Sequence, residues 1–191
     1  MALKGYPYNY QGVGKKKQLP LLREHKYSFK NRFNFQYIVN VEEYQHEVYI
    51  VKFHLAAHAL SKWRYCLMTN QQDARRIIYT CVDIGKELHA EFPYASFGFI
   101  GNPTKPEIKK KKFFETKRYR VYQNFAKFFF DPELFEHAYN TEKSTYILLN
   151  KKNKERHPNL LKSIVKMFQD HYDIDNIYSN LVFELSNEDK K

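Results

Sequence analysis

Two stretches of this chain concentrate side chains able to bind phosphate. Between Lys105 and Arg120 lie Lys105, Lys109, Lys110, Lys111, Lys112, Lys117, Arg118 and Arg120, opposed only by Glu107 and Glu115. Lys151, Lys152, Lys154 and Arg156 form a second group. If a sheet brings both to one end, a dozen cations share a surface, enough for a salt-dependent contact with a polyanion. Phe113, Phe114 and Tyr119 are interleaved with the first group and could stack on unpaired bases. The positive charge of Lys117, Arg118 and Arg120 sits where a helix begins, against its dipole, so a carboxylate or an anion is expected nearby.

Other chemistries find less support. His54, His58, Cys66 and Cys81 are zinc-ligand types, but no Cys-x-x-Cys pair occurs. His54 and His58 also fall near a strand end, where a gap of four does not converge side chains as on a helix. A packed Cys81 and two surface histidines are expected, with no metal. There is no Gly-x-Ser-x-Gly elbow, and Ser96 has no evident base beside it. Asp173 and Asp175 have the spacing of a turn former rather than a Mg²⁺ site. No catalytic residue, metal ligand or cofactor is assigned.

Composition agrees with a binding role. Net charge is +11, from 32 Lys+Arg against 21 Asp+Glu, a field that attracts nucleic acid, acidic protein or anionic lipid. Tyr and Phe number 16 each against 6 Gly, so flat side chains fill the core and many phenols need partners. No run of about 18 apolar residues exists and the start lacks a signal-peptide core, which predicts a soluble, cytoplasmic protein with no membrane contact. Two cysteines fit a reducing compartment as small hydrophobes.

The elements follow from periodicity. Residues 1–26 read as an extended arm, in which Tyr6, Tyr8 and Tyr10 could meet a protein partner or cover the protein's own sheet. Arg32–Glu43 alternates, with Phe33, Phe35, Tyr37, Val39 and Val41 on one side; His46–Leu55 should pair with it antiparallel, and Trp63–Met68 add a short strand. A capping box at Thr69–Gln72 precedes a helix of about five turns, with Ile77, Ile78, Cys81, Ile84 and Leu88 inward, ending before Pro93. Ser96–Ile100 reads as a buried central strand and Lys105–Lys112 as a polar loop. Thr116 caps a helix with Tyr119, Tyr122, Phe125, Ala126 and Phe129 on one face. Phe135–Tyr139 and Thr145–Asn150 make a strand pair, Lys151–His157 a basic linker, and Pro158 opens a last helix. A strand over Asn180–Leu185 could return to the sheet before a charged tail. The fold class is α+β: a mainly antiparallel sheet carrying two principal helices, with a C-terminal helix added. The core domain is 27–150, and 151–191 is the C-terminal helix, possible edge strand and tail. Ile77, Ile78, Cys81, Phe97, Phe99, Tyr122, Phe125 and Ile147 are expected in one core.

The run Thr116-Lys117-Arg118-Tyr119-Arg120-Val121-Tyr122, entering a helix after SFGFIGNPT, resembles small bacterial and phage families of unknown function. The order of elements is also similar to the later half of the acetyltransferase (GNAT-like) fold. That resemblance implies a fold type, and acyl transfer would need Arg/Gln-x-x-Gly-x-Gly/Ala to place amides on a cofactor pyrophosphate. The chain has no such run, and prolines follow Gly101. The leading expectation is a non-enzymatic basic protein contacting nucleic acid through Lys109, Lys110, Lys111, Lys112, Lys117, Arg118, Arg120, Lys151, Lys152, Lys154 and Arg156. The alternatives are a protein-interaction subunit or inhibitor in a phage, toxin–antitoxin or defence assembly, and a GNAT-like acyltransferase.

Overall fold

A computed structural model describes residues 4–14, 20–67, 72–172 and 182–184. The fold is α+β, built on a mainly antiparallel sheet of eight strands in the order β1-β2-β3-β4-β5-β7-β6-β8. Four strands come first: β1 (Tyr8–Val13), β2 (Leu21–Lys30), β3 (Gln36–Tyr44) and β4 (Val48–Leu55). Helix α1 (Ala74–Glu91) crosses to β5 (Ser96–Ile100), and then come α2 (Lys105–Lys109) and α3 (Lys117–Phe129). The hairpin β6 (Phe135–Asn140) and β7 (Thr145–Asn150) leads into α4 (Lys151–Arg156), α5 (Leu160–Tyr172) and β8 (Val182–Glu184). Among the described residues β4–β5 is the only parallel pair. No helix there is long and apolar enough to cross a membrane.

Strand alternation divides the core into two layers. On one face Tyr49, Phe97, Tyr146 and Leu148 meet Ile77, Cys81, Ile84 and Leu88 of α1 and Tyr119 and Ala126 of α3. On the other, Val48, Ile50, Ile147 and Leu149 meet Leu160, Ile164, Val165 and Phe168 of α5. Gly98 lets α5 come close: a Cβ there would lie 2.8 Å from both Ile50 Cδ1 and Phe168 Cζ. Ile147 therefore belongs to the α5 layer and not to the α1 core expected for it, because it alternates with Tyr146 and Leu148 on β7. Phe99, Tyr122 and Phe125 are half-buried rather than fully enclosed.

Several local expectations are corrected. The stretch read as an arm supplies β1 and most of β2, paired antiparallel. A bulge between Tyr10 and Gly12, with Gly12 at φ 94°, breaks the period of two that would have marked β1. Tyr6 lies within the protein's own core and stacks on Phe29 at 5.7 Å. Phe33 and Phe35 are exposed because Asn31 Oδ1 accepts from both their amides and makes a turn where the strand was expected to begin. Of the strand expected over Trp63–Met68, Trp63–Cys66 is a turn and Met68 lies outside the described residues. Of the expected capping box, Thr69 lies outside the described residues; α1 starts after Asp73 with no side-chain cap, and Gln72 has φ 51°. The polar loop contains α2, started by a true capping box in which Thr104 and Glu107 bond reciprocally. The basic linker is helix α4, capped by Asn150, whose Oδ1 accepts from Lys152 N and Asn153 N. Of the last expected strand, Val182–Glu184 pairs with β6; residues 180, 181 and 185 lie outside the described residues.

Candidate ligand-binding cleft

Strands β4 and β5 pair only through Val48, Ile50 and their neighbours opposite Ser96 to Gly98. Beyond Ile50, Val51–Leu55 have no strand partner on that side among the described residues, so the sheet opens at the carboxyl ends of its parallel pair. Such a crevice is where ligands bind in open sheets with a parallel switch point. Here it leads to a cavity of about 560 Å³. Its apolar wall comes from Tyr37, Phe53 and Leu55 of the sheet, Ile77 and Ile78 of α1, and Val121 and Tyr122 of α3. Its polar groups are His54, His58, Arg64, Tyr65, Asp73, Lys117 and Arg118. Phe53 and Tyr122 also border a chamber of about 170 Å³ at the β4–β5 opening and a narrow apolar one of about 90 Å³ behind it.

Segment 59–67 closes one side of this cavity. Arg118 ties it to α3 by donating from Nη2 to Leu67 O at 2.7 Å and from Nη1 to Asn102 O at 3.2 Å. Tyr65 lies over the polar end of β3 and β4: its OH accepts from Asn40 Nδ2 at 3.2 Å, and Lys52 Nζ stands 5.7 Å from its ring. His54 meets the ring edge-on at 5.4 Å. His54 is buried, contrary to the surface position expected of it, because segment 59–67 covers what would be a solvent-facing strand position. Burial, helped by the charges of Arg64 and His58, pushes its pKa down to about 4, so the imidazole is neutral. Its Nδ1 has no hydrogen-bond partner among the described residues. Burial pushes the Tyr122 phenol up, and this side chain too stays neutral.

A carboxylate stands at each helix start of the cleft, though only the one at α3 accepts from helix amides. At α1, Asp73 is buried, accepts from Tyr6 OH at 2.8 and 2.9 Å, and lies 3.7 Å from Arg32. At α3, Thr116 Oγ1 accepts from Tyr119 N at 3.2 Å, and Glu107 Oε1 accepts from Lys117 N at 2.8 Å. Glu107 thus answers the positive charge that Lys117, Arg118 and Arg120 place at the helix start. Burial alone would raise its pKa, but the hydrogen bonds from Thr104 and Lys117 outweigh it and hold the carboxyl low.

The two basic segments lie at opposite ends of β7. Lys109, Lys110, Lys111 and Lys112 close α2 and its following turn, with Lys117 and Arg120 exposed on α3 and Arg118 turned inward. The α3 start is fixed beside Ser144, just before β7, through Thr116 N to Ser144 Oγ at 3.2 Å. Lys151, Lys152, Lys154 and Arg156 leave from the opposite end of β7, roughly 17 Å away along the strand. There Lys154 pairs with Glu136 at 2.6 Å, and Arg156 with Glu47 at 3.7 Å while lying 4.1 Å over Tyr94. Strand direction, invisible in the composition of either segment, separates them.

Of the remaining candidates, His58 lines the cleft, Cys66 is half-buried beside it, and Cys81 lies in the apolar core with burial pushing its thiol up. Among the described residues no three His, Cys, Asp or Glu side chains converge as a metal site. Sequence reasoning missed Arg64 and Tyr65; their only signal was the aromatic-basic run Trp63-Arg64-Tyr65, read there as a strand. Comparison with protein-family models, curated proteins and solved structures finds no match to this chain.

Proposed function

We propose that this protein binds a small molecule with an apolar body in the cleft enclosed by the end of β4, the starts of α1 and α3, and segment 59–67. The observation that carries this is a cavity of about 560 Å³ beside the part of β4 that has run past its parallel partner, with an apolar wall and a few polar groups. The similarity of element order to acetyltransferases supports the same location. It does not extend to cofactor chemistry: the carboxylate of Asp73 stands at the start of α1, and residues 56–73 contain no glycine to expose amides to a pyrophosphate. Binding without acyl transfer is the reading. The test is titration with the apolar dye Nile red against wild type and Val121→Trp, since an indole at this cleft-lining position occupies ligand volume while its 37% exposure lets the helix accept the larger ring. Enhanced fluorescence in wild type and at least tenfold weaker binding in the variant are expected; equal binding by both places the dye elsewhere and refutes the proposal.

Nucleic-acid contact through the first basic segment alone is a second reading, favoured by one observation. Phe113 and Phe114 are 54% and 55% exposed beside Lys109–Lys112, with Lys112 Nζ 5.5 Å from the Phe114 ring. Changing Lys110, Lys111 and Lys112 to Ala should leave the melting temperature unchanged. Binding to mixed single- and double-stranded DNA and RNA should then weaken equally across sequences, with a salt slope smaller by up to roughly three. No binding by wild type at low salt removes this reading.

A further inference from the structure

Two residues that line the cavity, Arg64 and His54, each hold a buried nitrogen, Nε and Nδ1, without a hydrogen-bond partner among the described residues. They sit on one scaffold, since the Arg64 guanidinium lies 4.9 Å over the Tyr65 ring and the His54 imidazole meets the same ring edge-on. Arg64 is fixed by Nη1, which donates to Ala59 O at 3.2 Å, leaving Nε–H pointed at no acceptor. A guanidinium does not lose its proton, so this donor is permanent, and a buried donor without an acceptor is costly. Neutral His54 can carry its proton on Nδ1 and supply a second donor. The carboxylate on the same cavity wall, Asp73, is already engaged by Tyr6 and Arg32.

We infer that the ligand of this cleft carries a compact anionic oxygen group, a carboxylate or a phosphate monoester, to which Arg64 Nε and His54 Nδ1 donate on the platform of Tyr65. The inference rests on the cleft as the ligand site and adds the chemical class of the ligand: an apolar body ending in an oxyanion. An oxyanion offers acceptor lone pairs to both nitrogens at once, and charge-assisted bonds to a guanidinium are among the strongest in a protein. An alcohol of the same body satisfies one donor and leaves the charge unpaired.

The experiment is calorimetric titration of the full chain with octanoate, octyl phosphate and octanol, repeated on Arg64→Gln and Arg64→Lys, with Arg120→Gln, an exposed arginine that does not line the cavity, as the control. At least tenfold tighter binding of octanoate or octyl phosphate than of octanol is expected in wild type. The ratio between the two anions identifies carboxylate or phosphate as the preferred head. Arg64→Gln should reduce the anions to the octanol level without altering octanol, and Arg120→Gln should change nothing. The wild-type comparison alone decides the matter if the Arg64 variants melt early. Equal affinity for octanol and both anions overturns the headgroup assignment while leaving the cleft as a site. Binding of none of the three, together with no Nile red binding, overturns both.

Discussion

Replacing His54 by Gln should flatten the acid side of the stability curve. In the folded chain burial, then the charges of Arg64 and His58, hold the His54 pKa at about 4, against the usual 6.5. Between these values the unfolded chain takes up a proton that the folded chain refuses. Stability from this residue is therefore unaffected above pH 6.5 and lost progressively as pH falls from 6.5 toward 4. At pH 5 the loss is about 2 kcal/mol, and it approaches about 3 kcal/mol near pH 4. Burial likewise lowers the pKa of His46 and His89, but they titrate in both proteins and cancel in the comparison. The assay is urea denaturation of wild type and His54→Gln at pH 7.5 and pH 5.0, with m-values checked for constancy. The free-energy difference between the two proteins should move by about 2 kcal/mol in favour of the variant at pH 5.0. A difference constant within about 0.5 kcal/mol would show that His54 is solvated or protonated in the folded chain, and the buried neutral imidazole would be wrong.

Gly101→Ala should cost about 3 kcal/mol, since its Cβ would fall 2.5 Å from the backbone nitrogen of Tyr119, which cannot swing aside; the urea midpoint reports it. Tyr6→Phe should cost about 2 kcal/mol by leaving the buried Asp73 carboxylate without its phenol donor, and protease cleavage near the N-terminus should accelerate. Asn150→Ala should cost about 2–3 kcal/mol, because one side chain caps α4 and also donates to Pro93 O and Ala95 O; Asn150→Asp should recover only the cap.

What was legible in the sequence was whatever depends on neighbours along the chain. The period of three and four over residues 74–91 requires a helix with Ile77, Cys81 and Ile84 on one side, and that side is buried. Thr116 caps its helix through an amide three residues on, and Ser96–Ile100 is too short and apolar for anything but an inner strand. The strand pair β6 and β7 was legible too, and with these elements came the α+β class and its mainly antiparallel sheet. Where a bulge or an Asx turn interrupts the period, as at Gly12 and Asn31, the local signal fails. The site depended on the fold as a whole. Only the early end of the β4–β5 pairing opens the cleft, only the covering turn at 59–67 makes His54 a buried neutral group, and only the run of β7 parts the two lysine groups. Each of these joins residues far apart in the chain, and no composition or spacing records a distance that the sheet alone determines.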